Sequence, residues 1–198
     1  MNYTNQNEIY TVGHSNQSLE SFLGLLRKHA ITAVADVRSY PYSMMNPQFD
    51  REALSKELKS AGISYVFLGK ELGARSEDQA CYMNGQVQFE RLAKIELFRD
   101  GMERVLEGIE RFRIALMCAE KEPLVCHRTI LVARALAESG VKVQHILSDG
   151  TLEEHEAATQ RLLGMLGMTE PNMFLGREEL VSEAYRIQAS RIAYERET

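Results

Sequence analysis

A chain of 198 residues with 44% hydrophobic and 26% charged content has enough apolar side chain for one substantial core, and is read as a single domain with an appended segment. Its net charge of -5 gives no overall attraction to nucleic acid or an anionic membrane, so nucleic acid is not supported as a partner by charge and any basic site must be local. No apolar run reaches the roughly 20 residues that span a bilayer, and the N-terminus carries no basic-then-apolar leader. A cytoplasmic protein without a membrane partner is expected, its Cys81, Cys118 and Cys126 being reduced thiols rather than a disulfide framework.

Residues 1 to 7 are polar and expected to be loose. Ile9 to Val12 reads as a first strand ending at Gly13-His14-Ser15. From Ser18, a candidate N-cap, Leu19, Phe22, Leu23 and Leu26 recur at helical spacing to about His29. Ile31 to Ala35 is a second strand, apolar throughout as a strand covered on both faces is, and it delivers Asp36-Val37-Arg38. Ser39 to Phe49 is a loop by its prolines and Asn46-Pro47, and Tyr40, Tyr42, Met44 and Met45 offer a floor for a flat group. Asp50 can cap a helix ended by Gly62, and Ile63 to Phe67 is a third strand.

Leu68 to Gln86, with three glycines and the charges Lys70, Glu71, Arg75, Glu77 and Asp78, is long enough for a lid. Phe89 to Phe98 predicts a helix, and Asp100-Gly-Met-Glu103 has capping-box spacing for another through Arg111. Arg113 to Met117 is a fourth strand, followed by a helix from about His127 to Ser139 and a fifth strand over Val141 to Leu147. Thr151-Leu-Glu-Glu154 is a second capping box, opening a helix through about Leu166. A linker between Pro171 and Gly176 leads to a charged terminal helix over Arg177 to Glu195.

Strands alternating with helices imply an α/β fold, a mostly parallel sheet of about five strands flanked by helices. An open sheet is preferred and an incomplete barrel is the alternative. Residues 1–150 form the α/β core, and 151–198 a helical C-terminal extension of the same domain. Ligands in such folds sit beyond the carboxyl ends of the strands. There the first strand delivers His14 and Ser15, the second Asp36 and Arg38, and the fourth Cys118 and Glu120. Cys126, His127 and Arg128 follow at a helix start, a place suited to an anion and to lowering a thiol pKa from about 8.5.

Each residue also has a structural reading: Cys118 as packing, Cys126 as a small buried hydrophobe, Asp36 and Arg38 as an ion pair. Cys118, Cys126, His127 and His14 are zinc-ligand types, but Cys-x7-Cys is not a knuckle spacing, so no cofactor is expected, with zinc as the minor alternative. The thiol-phosphatase spacing of Cys to Arg and a glycine-rich phosphate loop are both absent.

Taken together, Tyr10-Thr-Val-Gly-His-Ser15, Asp36-Val-Arg38 with Pro41 and Ser43 after it, Gly62-Ile-Ser-Tyr65, Leu68-Gly69, Leu72-Gly73, Cys118-Ala-Glu120 and Cys126-His-Arg128 resemble the domain-of-unknown-function 488 family over roughly residues 9 to 150. The resemblance implies an α/β domain with a shared polar site at these positions and brings no reaction with it. Where a basic residue would be expected near Ser43, Met44 and Met45 stand instead.

The leading expectation is an enzyme, a hydrolase or transferase, acting on a phosphorylated or nucleotide-like substrate or a nucleic-acid end. Arg38 and Arg128 would hold the anion, Cys126 would be nucleophile or polariser, and Asp36, Glu120 and His14 would supply acid-base and orienting groups. Ser15, Cys118, His127, Tyr40 and Ser43 complete the substrate-binding set. The alternatives are a non-catalytic nucleotide- or anion-binding module and a thiol redox switch using Cys118 and Cys126.

Overall fold

The computed structural model describes residues 7–168 and 176–196. The expected loose N-terminus, apart from Asn7, and the linker from Pro171 as far as residue 175 lie outside them. Among the described residues no helix is long and apolar enough to cross a membrane.

The chain runs β1 (Glu8–Gly13), α1 (Leu19–Lys28), β2 (Ala33–Asp36), α2 (Arg51–Ser60), β3 (Ser64–Phe67) and the short α3 (Gly69–Leu72). A hairpin of β4 (Tyr82–Met83) and β5 (Gln86–Val87) follows, then α4 (Phe89–Leu92), α5 (Glu96–Ile109) and β6 (Ile114–Cys118). A π-wound stretch, Arg128–Ala133, continues into α6 (Arg134–Glu138); β7 (Lys142–Ile146), β8 (Leu152–Glu154), α7 (His155–Leu166) and α8 (Arg177–Ile192) complete it. The main sheet has the order β3-β2-β6-β1-β7-β8, with β8 antiparallel to β7 and every other pairing parallel. Its edge strands β3 and β8 do not meet, so the sheet is open rather than an incomplete barrel.

Period-two alternation divides the core between two faces. Tyr10, Val12, Val34, Ala115 and Met117 point toward α1 and α2, while Ile9, Ala33, Ala35, Leu116 and Val143 pack under α5, the π-wound helix, α7 and α8. All five strands expected from the sequence are present. Ser18 caps α1, its hydroxyl accepting the Ser21 amide at 3.1 Å.

Four local expectations are corrected. Thr151 does not open a helix: its amide and hydroxyl both bond the Asp149 carboxylate, closing a tight turn, and the next residues pair with β7 as a sixth strand. The segment from 151 is therefore not wholly helical. Asp50 precedes α2 but spends its carboxylate on the Ser43 amide at 2.8 Å rather than on the helix. Asp100 lies inside α5, because Ile95 is extended and the buried stripe of Phe98, Met102 and Val105 runs through it. The expected lid holds α3 and the β4–β5 hairpin, and the chain beyond α8 lies along that hairpin, with Val87 N bonded to Tyr194 O and Arg196 N to Gly85 O.

A buried polar chain ties the sheet to α7 and α8. Thr11 Oγ1 meets His145 Nδ1 at 2.8 Å, His145 Nε2 meets His155 Nδ1 at 3.0 Å, and His155 Nε2 meets the Tyr185 hydroxyl at 3.1 Å. Tyr185 in turn meets Thr159 Oγ1 at 2.8 Å, and Thr159 donates to the His155 carbonyl. Every contact is satisfied by two neutral imidazoles, each donating from Nε2 and accepting at Nδ1.

Burial, and for His145 also the neighbouring His155, holds His145 well below the usual imidazole pKa, and burial brings His155 down to about 4. Between pH about 6.5 and about 4 the unfolded chain thus binds protons that the fold refuses. Stability should fall with falling pH in that window by up to about 1.4 kcal/mol per pH unit for each such histidine, and be unaffected by them above it. Thermal melting between pH 7 and 5 checks this: the melting temperature should drop, and His155→Gln should flatten the slope.

Candidate functional site

Parallel register brings the strand ends to one edge. Gly13 stands opposite Cys118 and Asp36 opposite Met117, so β1, β2 and β6 finish level. Beyond the sheet the pairing persists: His14 N bonds Cys118 O, Ser15 N bonds Ala119 O, and Val37 N bonds Met117 O. The residues after each strand are thereby held against one another.

Asp36 and Arg38 form a buried bidentate pair, Nε to Oδ1 at 2.9 Å and Nη2 to Oδ2 at 2.7 Å, and Tyr65 donates to the same Oδ2 at 2.8 Å. Arg38 Nη2 also reaches Phe49 O at 2.9 Å, and Nη1 reaches His14 Nε2 at 3.1 Å. His14 stacks on the Phe49 ring and faces the Ser15 carbonyl from Nδ1 at 2.8 Å, so Nδ1 carries its proton and Nε2 accepts from Arg38. Burial, with Arg38 nearby, brings the His14 pKa down to about 4. Four of the five guanidinium hydrogens of Arg38 are used, leaving one on Nη1 without a partner among the described residues.

Arg128 is wholly buried and has no carboxylate partner among the described residues. Its Nη1 donates to Glu120 O at 2.5 Å and its Nη2 to Lys121 O at 3.3 Å, while Nε lacks a partner among the described residues. The guanidinium thus folds the 119–127 loop back over the end of β1. Gly13 permits this approach: a Cβ there would lie 1.9 Å from Glu120 O and 3.2 Å from Arg128 Nη1.

On the other side of that loop lie Cys118, Cys126 and His127, whose ligand atoms are all within 4.8 Å of one another. His127 Nε2 meets Val37 O at 2.9 Å, a contact that requires a proton on Nε2, so in the neutral ring Nδ1 carries the lone pair, and it lies 3.7 Å from Cys118 Sγ. Burial opposes ionisation of Cys126, but the adjoining Cys118 thiol, the Arg128 charge and His127 outweigh it and bring its pKa well below the ordinary thiol value. Interaction with Cys126 and burial push Cys118 the opposite way. Of the two thiols, Cys126 is therefore the one whose surroundings favour the thiolate. This is the donor set among the described residues that could hold a metal.

These groups open into a cleft of about 340 Å³. Of the residues expected from the sequence, Arg38, Tyr40, Cys118, Glu120, Cys126 and His127 line it. His14, Asp36 and Arg128 are brought to the same edge but are buried behind the cleft wall. Arg128 holds backbone carbonyls rather than a guest, and both ring nitrogens of His14 are taken, so it is not a ligand. Ser15 and Ser43 do not line the cleft: Ser15 bonds Asn16, and Ser43 Oγ accepts the Asn46 amide in its own turn. Met44 and Met45 stand in solvent and make no pocket floor.

Ser39, Arg75 and Tyr194 also line the cleft and were not singled out as site residues in the sequence. Arg75 donates its amide to Ser39 Oγ and lays its guanidinium 4.4 Å from the centre of the Tyr194 ring. Its position in the charged, glycine-bearing segment after β3 was the available signal. Tyr194 carried none.

The family model described as Domain of unknown function DUF488 matches residues 18–135. The chain belongs to this family. The DUF488 match covers both the Asp36-Val-Arg38 and Cys126-His-Arg128 segments, while the Gly13-His14 turn lies just before it and Tyr194 well after. Comparisons with curated proteins and with solved structures return no match.

Gly13→Ala should force the Glu120 carbonyl away and destabilise the protein by about 1–3 kcal/mol. Gly24→Ala, on exposed α1 with nothing within 4 Å of its Cβ, should be neutral or stabilising by about 0.5–1 kcal/mol. Urea denaturation of the two variants measures the contrast.

Proposed function

We propose that the cleft is the active site of an enzyme acting on a small phosphorylated or nucleotide-like anion. The carrying observation is that Cys126, its thiol pKa drawn down by Cys118, Arg128 and His127 against its burial, lines the same cleft as Arg38 and Arg75. Arg38 has an unused Nη1 hydrogen and is fixed by Asp36; Arg75 forms no ion pair among the described residues and is braced by Tyr194. A planar guanidinium locked by a carboxylate loses little entropy when it binds a phosphate or carboxylate.

Glu120 is exposed at the cleft and supplies a carboxylate for proton transfer, whereas Asp36 and His14 act as positioning residues that keep Arg38 aimed. The thiolate at the reacting end can attack an electrophilic substrate itself or hold a metal ion that activates it. The exposed Tyr40 lines the cleft rim and offers a flat surface for a base.

Thermal-shift screening with phosphorylated metabolites and nucleotides, followed by mass spectrometry of every stabilising compound, tests this reading. A hit should be converted by the wild-type protein. Arg75→Ala should weaken its binding about tenfold, the loss of one exposed charge-assisted contact worth about 1.4 kcal/mol. Cys126→Ser should bind it but not convert it. Conversion that survives Cys126→Ser, or a screen in which no anion stabilises the protein, would overturn the proposal.

A further inference from the structure

We infer that Cys118, Cys126 and His127 form a three-ligand zinc site whose fourth position faces the cleft. The inference rests on the reading of that cleft as the reactive site and specifies what the thiolate does there. Zinc prefers sulfur and imidazole donors in tetrahedral array, and sets of three protein ligands with an open fourth position are the pattern of catalytic rather than structural zinc.

Geometry carries the argument. Tetrahedral ligands at about 2.3 Å for sulfur and about 2.0–2.1 Å for nitrogen stand roughly 3.4–3.8 Å apart. Cys118 Sγ and His127 Nδ1 are already 3.7 Å apart, and no pair within the set exceeds 4.8 Å. Closing the widest pair requires a movement of about 1 Å or less, within the reach of small rotations about χ1.

The imidazole is prepared for the role. A histidine that binds a metal through one nitrogen usually donates its other N–H to a carbonyl or carboxylate. His127 makes that contact to Val37 O at 2.9 Å, which leaves Nδ1, on the side of the sulfurs, as the free lone pair. Val37 O is itself fixed, because the Val37 amide is bonded to Met117 O in the sheet. Cys118 ends β6, and the loop bringing Cys126 and His127 back to it is held by Arg128, so ligands eight and nine residues apart meet without a knuckle spacing.

All three residues line the cleft, as do Glu120 and Arg38. A bound ion would therefore present its open position to the same space as the anion-holding guanidiniums. Binding neutralises the ion: with Cys118 and Cys126 both bound as thiolates, any thiol proton being released to solvent, their two negative charges offset the two positive charges. His14 stays outside the set, its nitrogens already occupied by Ser15 O and Arg38.

The test uses metal rather than turnover, so its outcome is separable from that of the substrate screen. Purified full-length protein is stripped with chelator and titrated with zinc against a chromogenic competitor, then with cobalt as a spectroscopic substitute. One equivalent of zinc should bind. Cobalt should give the intense visible bands of a tetrahedral site with thiolate-to-metal charge transfer.

Cys118→Ser, Cys126→Ser and His127→Ala should each weaken zinc binding at least tenfold. Cys81→Ser, which alters a buried cysteine outside the cleft, should leave stoichiometry and spectrum unchanged. Zinc should also protect Cys118 and Cys126 of the wild-type protein from alkylation, a readout independent of how the variants fold. No bound equivalent, or one indifferent to all three substitutions, would overturn the inference.

Discussion

A guanidinium removed from water must be surrounded by oxygen atoms or balanced by an anion, and the polar edge of this protein is arranged around that requirement at Arg128. Fully buried and without a carboxylate partner among the described residues, Arg128 draws in the carbonyls of Glu120 and Lys121. That contact folds the loop after β6 over the side-chain-free surface of Gly13. Beside Cys118, whose contact lowers the Cys126 pKa most, the Arg128 charge lowers it further. A structural arginine thereby favours the thiolate form of a cysteine in a cleft it does not itself line.

A second arginine is stabilised in the opposite way. Arg38 has its full counter-charge in Asp36, further bonds to Phe49 O and His14, and one Nη1 hydrogen without a partner among the described residues. Removing either member of the Asp36–Arg38 pair would strand a buried charge, a loss of roughly 3–5 kcal/mol, so these residues serve the fold as well as the site. One wall of the cleft is therefore rigid. Arg75 and Tyr194 also line it, Tyr194 from the residues after α8 that backbone bonds tie to the β4–β5 hairpin, and Arg196 donates to Ser76 O beside Arg75.

Much of this was legible in the sequence because it follows from periodicity. Alternating strands and helices imply parallel strands, parallel strands put their carboxyl ends together, and His14, Asp36, Arg38, Cys118 and Cys126 converge as that logic requires. What lay hidden was direction. Whether Arg128 turns toward a guest or toward two backbone carbonyls depends on the loop path, and carbonyl partners have no signature in residue type. The sixth strand was masked because Thr151 matches a capping box, yet its hydroxyl found Asp149 first. Tyr194 reaches the cleft only through long-range pairing with residues 85 to 87, which no local pattern encodes.

The central claim, that its surroundings lower the pKa of Cys126, is tested most directly by the pH dependence of thiolate ultraviolet absorbance in chelator-treated protein, compared with Cys126→Ser. The account predicts a single thiolate that persists well below the ordinary thiol pKa of about 8.5 and is missing from the variant. A titration beginning only near or above about 8.5, or a low-pH thiolate signal that survives the substitution, would contradict it.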